Sequence, residues 1–239
     1  MPKGVTRVRA PNPSPLTLDG TNTYVASGWV VDPGPNDADH LDAVAAAAGP
    51  GAEGIVLTHG HSDHADGASH LADRLGVPVV RPGGGSPAGP FTVIATPGHS
   101  PDHVSLLLGR VLFAGDMVLG EGSVFVGGGD GSMTAYLDSL RRLLELDLDV
   151  ILPGHGPVVS DPRAKLEEYL AHRLDRERRV LAAVNGGAAT RDEVLDRAWS
   201  EVDLDAVPYL RMAAGLTLDA HLEKLSADGL LPGGVSHLR

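Results

Sequence analysis

The chain has 239 residues, 42% of them hydrophobic, which suits a globular protein with one large domain, or one domain and a small appendage. It contains no cysteine, so disulfides, thiolate nucleophiles and cysteine-bound zinc are excluded, and any metal must be held by His, Asp or Glu. The formal net charge of -12 disfavours nonspecific nucleic-acid binding, and without a long apolar run or a signal-like N-terminus we expect a cytoplasmic protein with no membrane partner.

Short β-rich runs alternate with helical stretches up to about residue 158. Glycine, proline or aspartate bounds each run. The pattern predicts strands at 23–26, 29–31, 54–58, 78–81, 91–95, 104–108, 111–114 and 150–152. It predicts helices at 37–48, 64–75 and 133–144, the last with apolar residues close to helical spacing. The alternation indicates an α/β fold.

The character of the sequence changes after Pro157. Pro162 is typical of the first turn of a helix, with Asp161 as its cap, and this helix is predicted to run to about residue 184. The sequence then predicts helices at 190–200 and 213–228 and a short hairpin within 229–239. Three helices followed by a small β-wing are the pattern of a winged-helix module. We therefore predict two domains, 1–161 and 162–239.

The segment GIVLTHGHSDHADG, residues 54–67, carries the strongest chemical signal. A buried apolar strand ends here and is followed by His59, His61, Asp63 and His64. Alternate residues of an extended segment point the same way, so His59 and His61 can converge on one metal. Asp63 and His64 come where the next helix begins, beside a second position. Imidazoles and carboxylates are the ligands that zinc accepts when cysteine is absent.

Three more candidate ligands follow predicted strands. His99, Asp116 and His155 each come after an apolar run and next to a glycine that lets the backbone turn close to a ligand. Together with the first segment, four strand ends present such residues in one direction. This recurrence predicts a metal site at one rim of a β-layered scaffold.

Residues 1 to about 160 resemble the metallo-β-lactamase superfamily, whose ligand series is present in full. The resemblance implies a four-layer αββα sandwich with two divalent metal ions at one edge, followed here by a mainly helical, winged-helix-like module. By the same resemblance, the first ion is held by His59, His61 and His99, the second by Asp63, His64 and His155, and Asp116 bridges both. Asp32, in VVDPG, matches an early aspartate that supports the site from behind the ligands.

The resemblance also implies a reaction. Two ions, zinc with Mn²⁺ or Fe²⁺ as alternatives, lower the pKa of a bridging water and supply a hydroxide that attacks the substrate. GTNTY at 20–24 and the helical tail look most like small beta-lactamase-like proteins with a winged-helix tail, a group that includes a mitochondrial single-strand endoribonuclease. Hydroxyacylglutathione hydrolases are also similar.

Three functions follow from this resemblance. We expect hydrolysis of a thioester or ester-type small molecule, because the surface is acidic and such substrates are frequent in the superfamily. The alternative is a single-strand endoribonuclease, with nucleic acid as the partner. A di-iron oxidoreductase is a third hypothesis. The sequence leaves the oligomeric state open.

Several residues outside the ligand set have expected roles. Asp63 is expected to be catalytic as well as a ligand, because it would orient the hydroxide. His103 has two roles open to it, protonation of a leaving group or a hydrogen bond to nearby backbone. The glycine-rich loop at 120–132 is expected to form a rim of the cleft, with Phe125, Met133 and Tyr136 as candidate wall residues.

Charged residues of the tail and the remaining histidines are predicted to be solvated. A solvated helix face, rather than a phosphate-binding stripe, is predicted for Arg173, Arg176, Arg178 and Arg179. The same solvated state is predicted for His40, His70, His172, His221 and His237.

Overall fold

Two β-sheets packed face to face form the centre of the protein in a computed structural model, which describes residues 1–127, 129–207 and 209–232. The first sheet contains β1 (Val5–Arg9), β2 (Asn22–Ala26), β3 (Trp29–Val31), β4 (Gly54–Val56) and β5 (Val79–Val80) in that order. The second sheet contains β6 (Thr92–Ala95), β7 (Val104–Leu108), β8 (Val111–Gly115) and β9 (Val150–Pro153).

The strand directions put several carboxyl ends at one edge. In the first sheet, β3, β4 and β5 are parallel neighbours. In the second sheet β7 is antiparallel to both β6 and β8, and β8 is parallel to β9, so β6, β8 and β9 share one direction. The start of β2 joins the two sheets at this edge, because the Asn22 amide donates to the Gly154 carbonyl at 2.7 Å. Residues that follow β3, β4, β6, β8 and β9 therefore come together.

Alternation of side chains along the strands divides the core into layers. Tyr24 and Ala26 of β2 face the second sheet, whereas Val25 between them faces the opposite side. Phe113 of β8 likewise lies between the sheets, whereas Leu112 faces outward. Each such burial stabilises the fold by roughly 1.5–3 kcal/mol for a large apolar side chain.

Helices cover both outer faces of the sheets. Against the first sheet lie α1 (Ala38–Ala48), α2 (Ser62–Ala65) and α3 (Ala68–Leu75). Against the second sheet lie α4 (Met133–Leu144) and the first half of α5 (Pro162–Asn185). The predicted αββα sandwich is thus confirmed. The Asp161 carboxylate accepts from the Ala164 amide at the start of α5, as its predicted capping role requires.

The C-terminal helices build a core of their own. The second half of α5 packs with α6 (Arg191–Ala198) and α7 (Leu210–Ala227) around buried apolar residues that include Val180, Leu195 and Leu218. The first half of α5 contributes Leu166 and Tyr169 to the core beneath the second sheet. One helix therefore belongs to both cores, and the change from one core to the other falls inside α5.

Some predicted elements differ from the structure. The helix predicted at 64–75 is two helices, because the chain turns at Gly67 between α2 and α3. Strand β1 was not predicted, since its mostly exposed residues hide the alternation. Most of the predicted hairpin, 233–239, lies outside the described residues, and 229–232 form no strand. Of the helices in the described ranges, none combines the length and apolarity needed to cross a membrane.

Candidate metal centre

The structure brings the seven predicted ligands together at the edge where the parallel strands end. β4 is followed by His59 and His61, β6 by His99, β8 by Asp116 and β9 by His155. Asp63 and His64 lie in the first turn of α2, which starts immediately after His61. The predicted convergence of strand ends therefore matches the fold, and two groups of side chains can be distinguished.

The first group contains His59, His61 and His99. One ring nitrogen from each lies within 4.8 Å of the others. His99 Nε2 lies 3.0 Å from His61 Nδ1. Two ring nitrogens this close can be ligands of one shared cation.

The second group contains Asp63, His64 and His155, whose donor atoms also lie within 4.8 Å of one another. The Nε2 atoms of His64 and His155 are 3.2 Å apart. The Oδ2 atom of Asp63 lies 3.2 Å from His155 Nε2 and 3.4 Å from His64 Nε2. This group offers two imidazoles and a carboxylate to a second cation.

Asp116 lies between the two groups. Its Oδ1 atom is 3.4 Å from His64 Nε2, and its Oδ2 atom is 3.4 Å from His155 Nε2. The same Oδ2 atom is 3.6 Å from His99 Nε2 in the first group. A carboxylate in contact with both groups has the position that a bridging ligand requires.

Protein groups hold the far nitrogens of four histidines and so fix the orientation of the rings. His59 Nδ1 lies 3.0 Å from the Thr58 hydroxyl, and His64 Nδ1 lies 2.9 Å from Asp32 Oδ2. His99 Nδ1 lies 2.8 Å from the Phe125 carbonyl, and His155 Nδ1 lies 3.4 Å from the Gly20 carbonyl. Such bonds to the remote nitrogen select the tautomer that leaves the other nitrogen free for a metal.

Asp32 supports the site from behind the histidines. Its two carboxylate oxygens accept from the Thr58 amide and the Thr58 hydroxyl, both at 2.7 Å, and from His64. The donor atoms of Asp32, His59 and His64 also lie within 4.8 Å of one another, so they could form a third metal group. We assign Asp32 to support instead, because both its oxygens already accept hydrogen bonds and His64 Nε2 faces the second group.

The donor set fits metal cations. His59 Nε2 and Asp116 Oδ1 are buried and form no hydrogen bond within the described part of the chain. A buried polar atom left in that state costs about 1–3 kcal/mol, which a cation at the site would offset. Burial alone would lower the pKa of His155, but the carboxylates of Asp116 and Asp63 raise it to about 9. This end of the site thus attracts positive charge.

Other shifts agree with neutral imidazole ligands in the first group. Burial, followed by the charges of neighbouring histidines, lowers the pKa of His59. Burial and His99 likewise lower the pKa of His61. Burial opposes ionisation of Asp116, yet His155 and His64 hold its pKa well below the usual range. The first group therefore offers neutral rings beside the ionised carboxylate of Asp116, which is the state that metal ligands need. In the second group burial opposes protonation, but neighbouring carboxylates raise the pKa of His64 and His155, so a metal ion must displace protons there.

His103 has both ring nitrogens occupied by the protein. Its Nε2 atom accepts from the Asp116 amide at 3.1 Å, and its Nδ1 atom lies 2.9 Å from the Thr96 hydroxyl. Burial, with the charge of His99, lowers its pKa to about 3, and the residue is 1% exposed. The contacts favour the second of the two expected roles, a backbone partner that positions Asp116.

Two residues that position the ligands, Thr58 and Asn22, were not predicted from the sequence. Thr58 connects His59 to Asp32, and its place directly before the first histidine is the signal that could have identified it. Asn22 donates through its side chain to the carbonyls of Pro153 and Gly156, on either side of His155. The GTNTY segment therefore has a physical role, since it holds the loop that carries the last ligand.

A cleft of about 610 Å³ opens over the metal groups and reaches the C-terminal helices. Asp63 and Asp116 line it from the metal groups, and Trp199, Leu210 and Ala214 line it from the C-terminal helices and the end of α6. From the loop at 120–132, Ser123, Val124 and Phe125 line the cleft, as expected for a rim. The expectation for Met133 and Tyr136 was wrong, because both are buried in the core beneath the second sheet.

The four arginines of α5 do not form one solvated face. Arg173 and Arg176 are 3% and 5% exposed, so the prediction was wrong for both. Arg176 bonds the Ala198 carbonyl and Glu201, and its guanidinium lies 4.2 Å from the centre of the Trp199 ring. Arg178 is exposed as predicted, whereas Arg179 is half-buried beside Asp175 and Glu201.

The remaining histidines also differ in exposure. His70 and His172 are exposed, although His172 borders the cleft. His40 and His221 are buried, so their predicted solvation was wrong. His40 Nε2 lies 3.0 Å from the Thr23 hydroxyl, which explains its place behind β2. His237 lies outside the described residues.

An αββα sandwich with clustered histidines and aspartates at one edge defines a class of metal-binding hydrolases. The family described as the metallo-beta-lactamase superfamily matches residues 16–89 and 82–155. A relative from Caenorhabditis elegans, named beta-lactamase-like protein 2 homolog, is 33% identical across 95% of this chain and 85% of its own length. The chain belongs to the metallo-beta-lactamase superfamily, whose members are generally hydrolases.

Further comparisons bear on chemistry. A relative from Aspergillus fumigatus, named atrochrysone carboxyl ACP thioesterase, is 28% identical across 87% of this chain and 78% of its own length. A metallo-beta-lactamase family protein from Thermus thermophilus has a similar solved structure, with a TM-score of 0.72, 26% identity and coverage of 95% of this chain and 94% of that one. Another structure, in a di-iron-bound form, gives a TM-score of 0.54 at 28% identity over 65% and 94% of the chains.

Proposed function

We propose that the protein is a dinuclear zinc hydrolase of thioester or ester-type small molecules. The observation that carries the proposal is Asp116, whose carboxylate contacts both ligand groups. The residues proposed for the first ion are His59, His61 and His99, and those for the second are Asp63, His64 and His155, with Asp116 shared.

When bound, the ions supply a water whose pKa is lowered to about 7 and a Lewis acid that polarises the scissile carbonyl. The chain itself supplies orientation. Asp63 faces the cleft and its Oδ2 atom accepts from the Thr21 hydroxyl at 3.3 Å, so the carboxylate is held ready to orient the attacking water. Asp32 and Thr58 fix the rings of His64 and His59, so the ligands need no rearrangement.

Zinc is the proposed metal because the donor set is five imidazoles and two carboxylates, with no cysteine in the chain. The related di-iron structure makes iron the main alternative, and Mn²⁺ accepts the same donors. Elemental analysis of the protein from medium supplied equally with zinc, iron and manganese tests this point. Iron at about two ions per chain would overturn the zinc assignment and favour the oxidoreductase alternative.

The cleft supports a small acyl substrate. Apolar side chains from three segments of the chain, including Leu119, Phe125 and Leu210, give it walls suited to an acyl chain. The thioesterase among the relatives supports the same bond type. We also propose that the protein is similar to the hydroxyacylglutathione hydrolases, as its sequence indicates. The ribonuclease alternative loses one of the arginines that could meet phosphates, because Arg176 is buried and already paired with Glu201.

A substrate screen of the zinc-loaded protein tests the proposal. Thioesters of several acyl lengths, lactones, β-lactams and labelled single-stranded RNA are compared with a His61→Ala variant as the blank. The matched control is Asp39→Asn, which removes an exposed carboxylate from α1. We expect thioester or ester turnover that His61→Ala loses and Asp39→Asn keeps. RNA cleavage with no acyl turnover would replace the proposal by the ribonuclease.

We further propose that residues 162–239 act as a winged-helix-like module that supplies one wall of the cleft, with 1–161 as the catalytic domain. The separate apolar core of α5, α6 and α7 and the place of Trp199 in the cleft support this division. A small-molecule substrate is the proposed partner.

A further inference from the structure

Arg173 is a buried cation in the wall of the cleft. Its Nη2 atom donates to the Ser123 hydroxyl at 2.9 Å and to the Val124 carbonyl, and its guanidinium lies 5.5 Å from the centre of the Tyr136 ring. Its Nε atom is buried and has no hydrogen-bond partner among the residues that the structure describes. Across the described ranges, no carboxylate oxygen lies within 4.0 Å of its nitrogens.

Other arginines of the same helix are balanced or solvated. Arg176 pairs with Glu201 at 2.7 Å, and the exposed Arg178 pairs with Asp175. Burial of a charge is costly unless the charge is paired, so buried cations normally have an anion beside them. Arg173 has hydroxyl, carbonyl and ring partners, which leave its charge uncompensated. An anionic ligand in the cleft would compensate the charge of Arg173.

Arg173 is anchored to the same short segment as a proposed metal ligand. The Val124 carbonyl accepts from Arg173, and the next carbonyl, that of Phe125, faces His99 Nδ1 at 2.8 Å. Consecutive Cα atoms are about 3.8 Å apart, so the two carbonyls that hold Arg173 and His99 belong to neighbouring residues. Arg173 and His99 also line one cleft. A molecule of modest size can therefore reach both.

The local charge balance favours a monoanion. The adjacent His172 is exposed at the border of the cleft, yet partial desolvation there and the charges of Arg173 and Arg176 lower its pKa to about 4. Glu201 balances Arg176. Among the described arginines that line the cleft, Arg173 has no carboxylate beside it, and a single unpaired guanidinium matches a carboxylate better than a phosphate dianion.

We propose that Arg173 forms a carboxylate-binding subsite, so that the substrate of the proposed hydrolase is an acyl compound with a carboxylate at the end remote from the scissile bond. This inference rests on the proposed function. The carbon chain between the two ends lies against the apolar wall that includes Trp199 and Leu210. Ser123 holds the guanidinium in place from the rim.

The kinetic test uses ω-carboxyacyl thioesters from succinyl to suberyl, each beside its neutral ω-amide. Wild type should prefer the carboxylate of at least one length. Arg173→Gln should lower kcat/KM for that carboxylate by at least about 10-fold, mainly through KM, the size expected for one hydrogen bond to a charged group. The same substitution should change kcat/KM for the neutral ω-amide by less than about 2-fold. Arg178→Gln, which removes an exposed charge from the same helix, should leave the preference intact.

A binding arm separates failure of the subsite from failure of the proposed function. Calorimetric titration of the metal-loaded proteins with the free dicarboxylates and with inorganic phosphate requires no turnover. Loss of dicarboxylate affinity in Arg173→Gln supports the subsite even if no thioester is hydrolysed. Equal affinity in wild type and a natively folded Arg173→Gln overturns it, as does tighter Arg173-dependent binding of phosphate. If Arg173→Gln does not fold, Arg173→Met removes the charge and keeps an apolar stem, and an unchanged carboxylate preference in that variant overturns the subsite.

Discussion

The two sides of the cleft are built on different principles. On one side, the ligands follow strand ends, and a hydrogen bond to the remote nitrogen fixes each of four histidines. On the other side, helices α5 to α7 present apolar side chains and two buried arginines. Under the proposed function, catalysis would depend on the backbone positions that hold the ligands, whereas the choice of substrate would depend on the packing of the helices. The two sides should respond differently to substitution, and four experiments test this difference.

The largest effect is expected from loss of a ligand. His61→Ala should abolish turnover, and Asp116→Ala should reduce the metal content from about two ions per chain to about one or fewer, since its carboxylate contacts both groups. Elemental analysis of dialysed protein measures the content, with Asp39→Asn as the control. A fully active preparation that contains no metal would refute the metal centre.

The second effect concerns support of the ligands. Asp32→Asn keeps the shape of the side chain but removes the charge beside His64, so metal affinity or turnover should fall by about 10–100-fold. Competition with a chelator measures the affinity. If the variant matches wild type in both measurements, Asp32 serves to shape the turn after β3 and nothing more.

The third effect should be confined to the helical side. Leu218→Ala, in the core of α5 to α7, and Leu140→Ala, beneath the second sheet, each remove a side chain that is 0% exposed and should cost about 2–5 kcal/mol. Leu218→Ala should raise KM a few-fold with metal content unchanged. Urea unfolding is followed by the fluorescence of Trp199, which reports on the α5–α7 core, and of Trp29, which reports on the sandwich from between the two sheets. Each tryptophan is observed in a variant that lacks the other. Equal loss of metal in both variants would show that the two sides are not independent.

The smallest effect is expected from salt. Between about 50 and 200 mM NaCl, turnover of a small thioester should change by less than about 2-fold, whereas a contact with many RNA phosphates would lose orders of magnitude in affinity. The Arg178→Gln variant is the matched control, because its guanidinium is exposed and available to a polyanion. RNA cleavage that falls steeply with salt and with this substitution would favour the ribonuclease.

The difference between the two sides of the cleft also explains which features could be predicted from the sequence. The ligand positions follow from local rules, since His59 and His61 alternate along one extended segment and His99, Asp116 and His155 each end an apolar run. The α/β class follows from the alternation of strands and helices, whereas the αββα sandwich was implied by the resemblance to the metallo-β-lactamase superfamily. These signals need no knowledge of tertiary contacts.

The helical side offers no such signal. Arg173 and Arg176 occur among acidic neighbours in α5, a pattern typical of a solvated surface, and they are buried because the rim at Ser123 and the end of α6 cover them. His221 is buried by packing of α7 on α5. Strand β1 depends on pairing with β2 rather than on its own pattern. Contacts distant in sequence decide all of these positions.

Helix α5 has a consequence for the way the cleft selects molecules by size. Its 24 residues form one helix of about 36 Å that starts in the core beneath the second sheet and ends in the core of the tail. An unbroken helix offers no hinge, so the wall that carries Arg173 keeps a constant distance from the edge that carries His99. The cleft would then favour acyl chains of one length. A chain longer by one methylene would lose about 1–3 kcal/mol of transition-state binding.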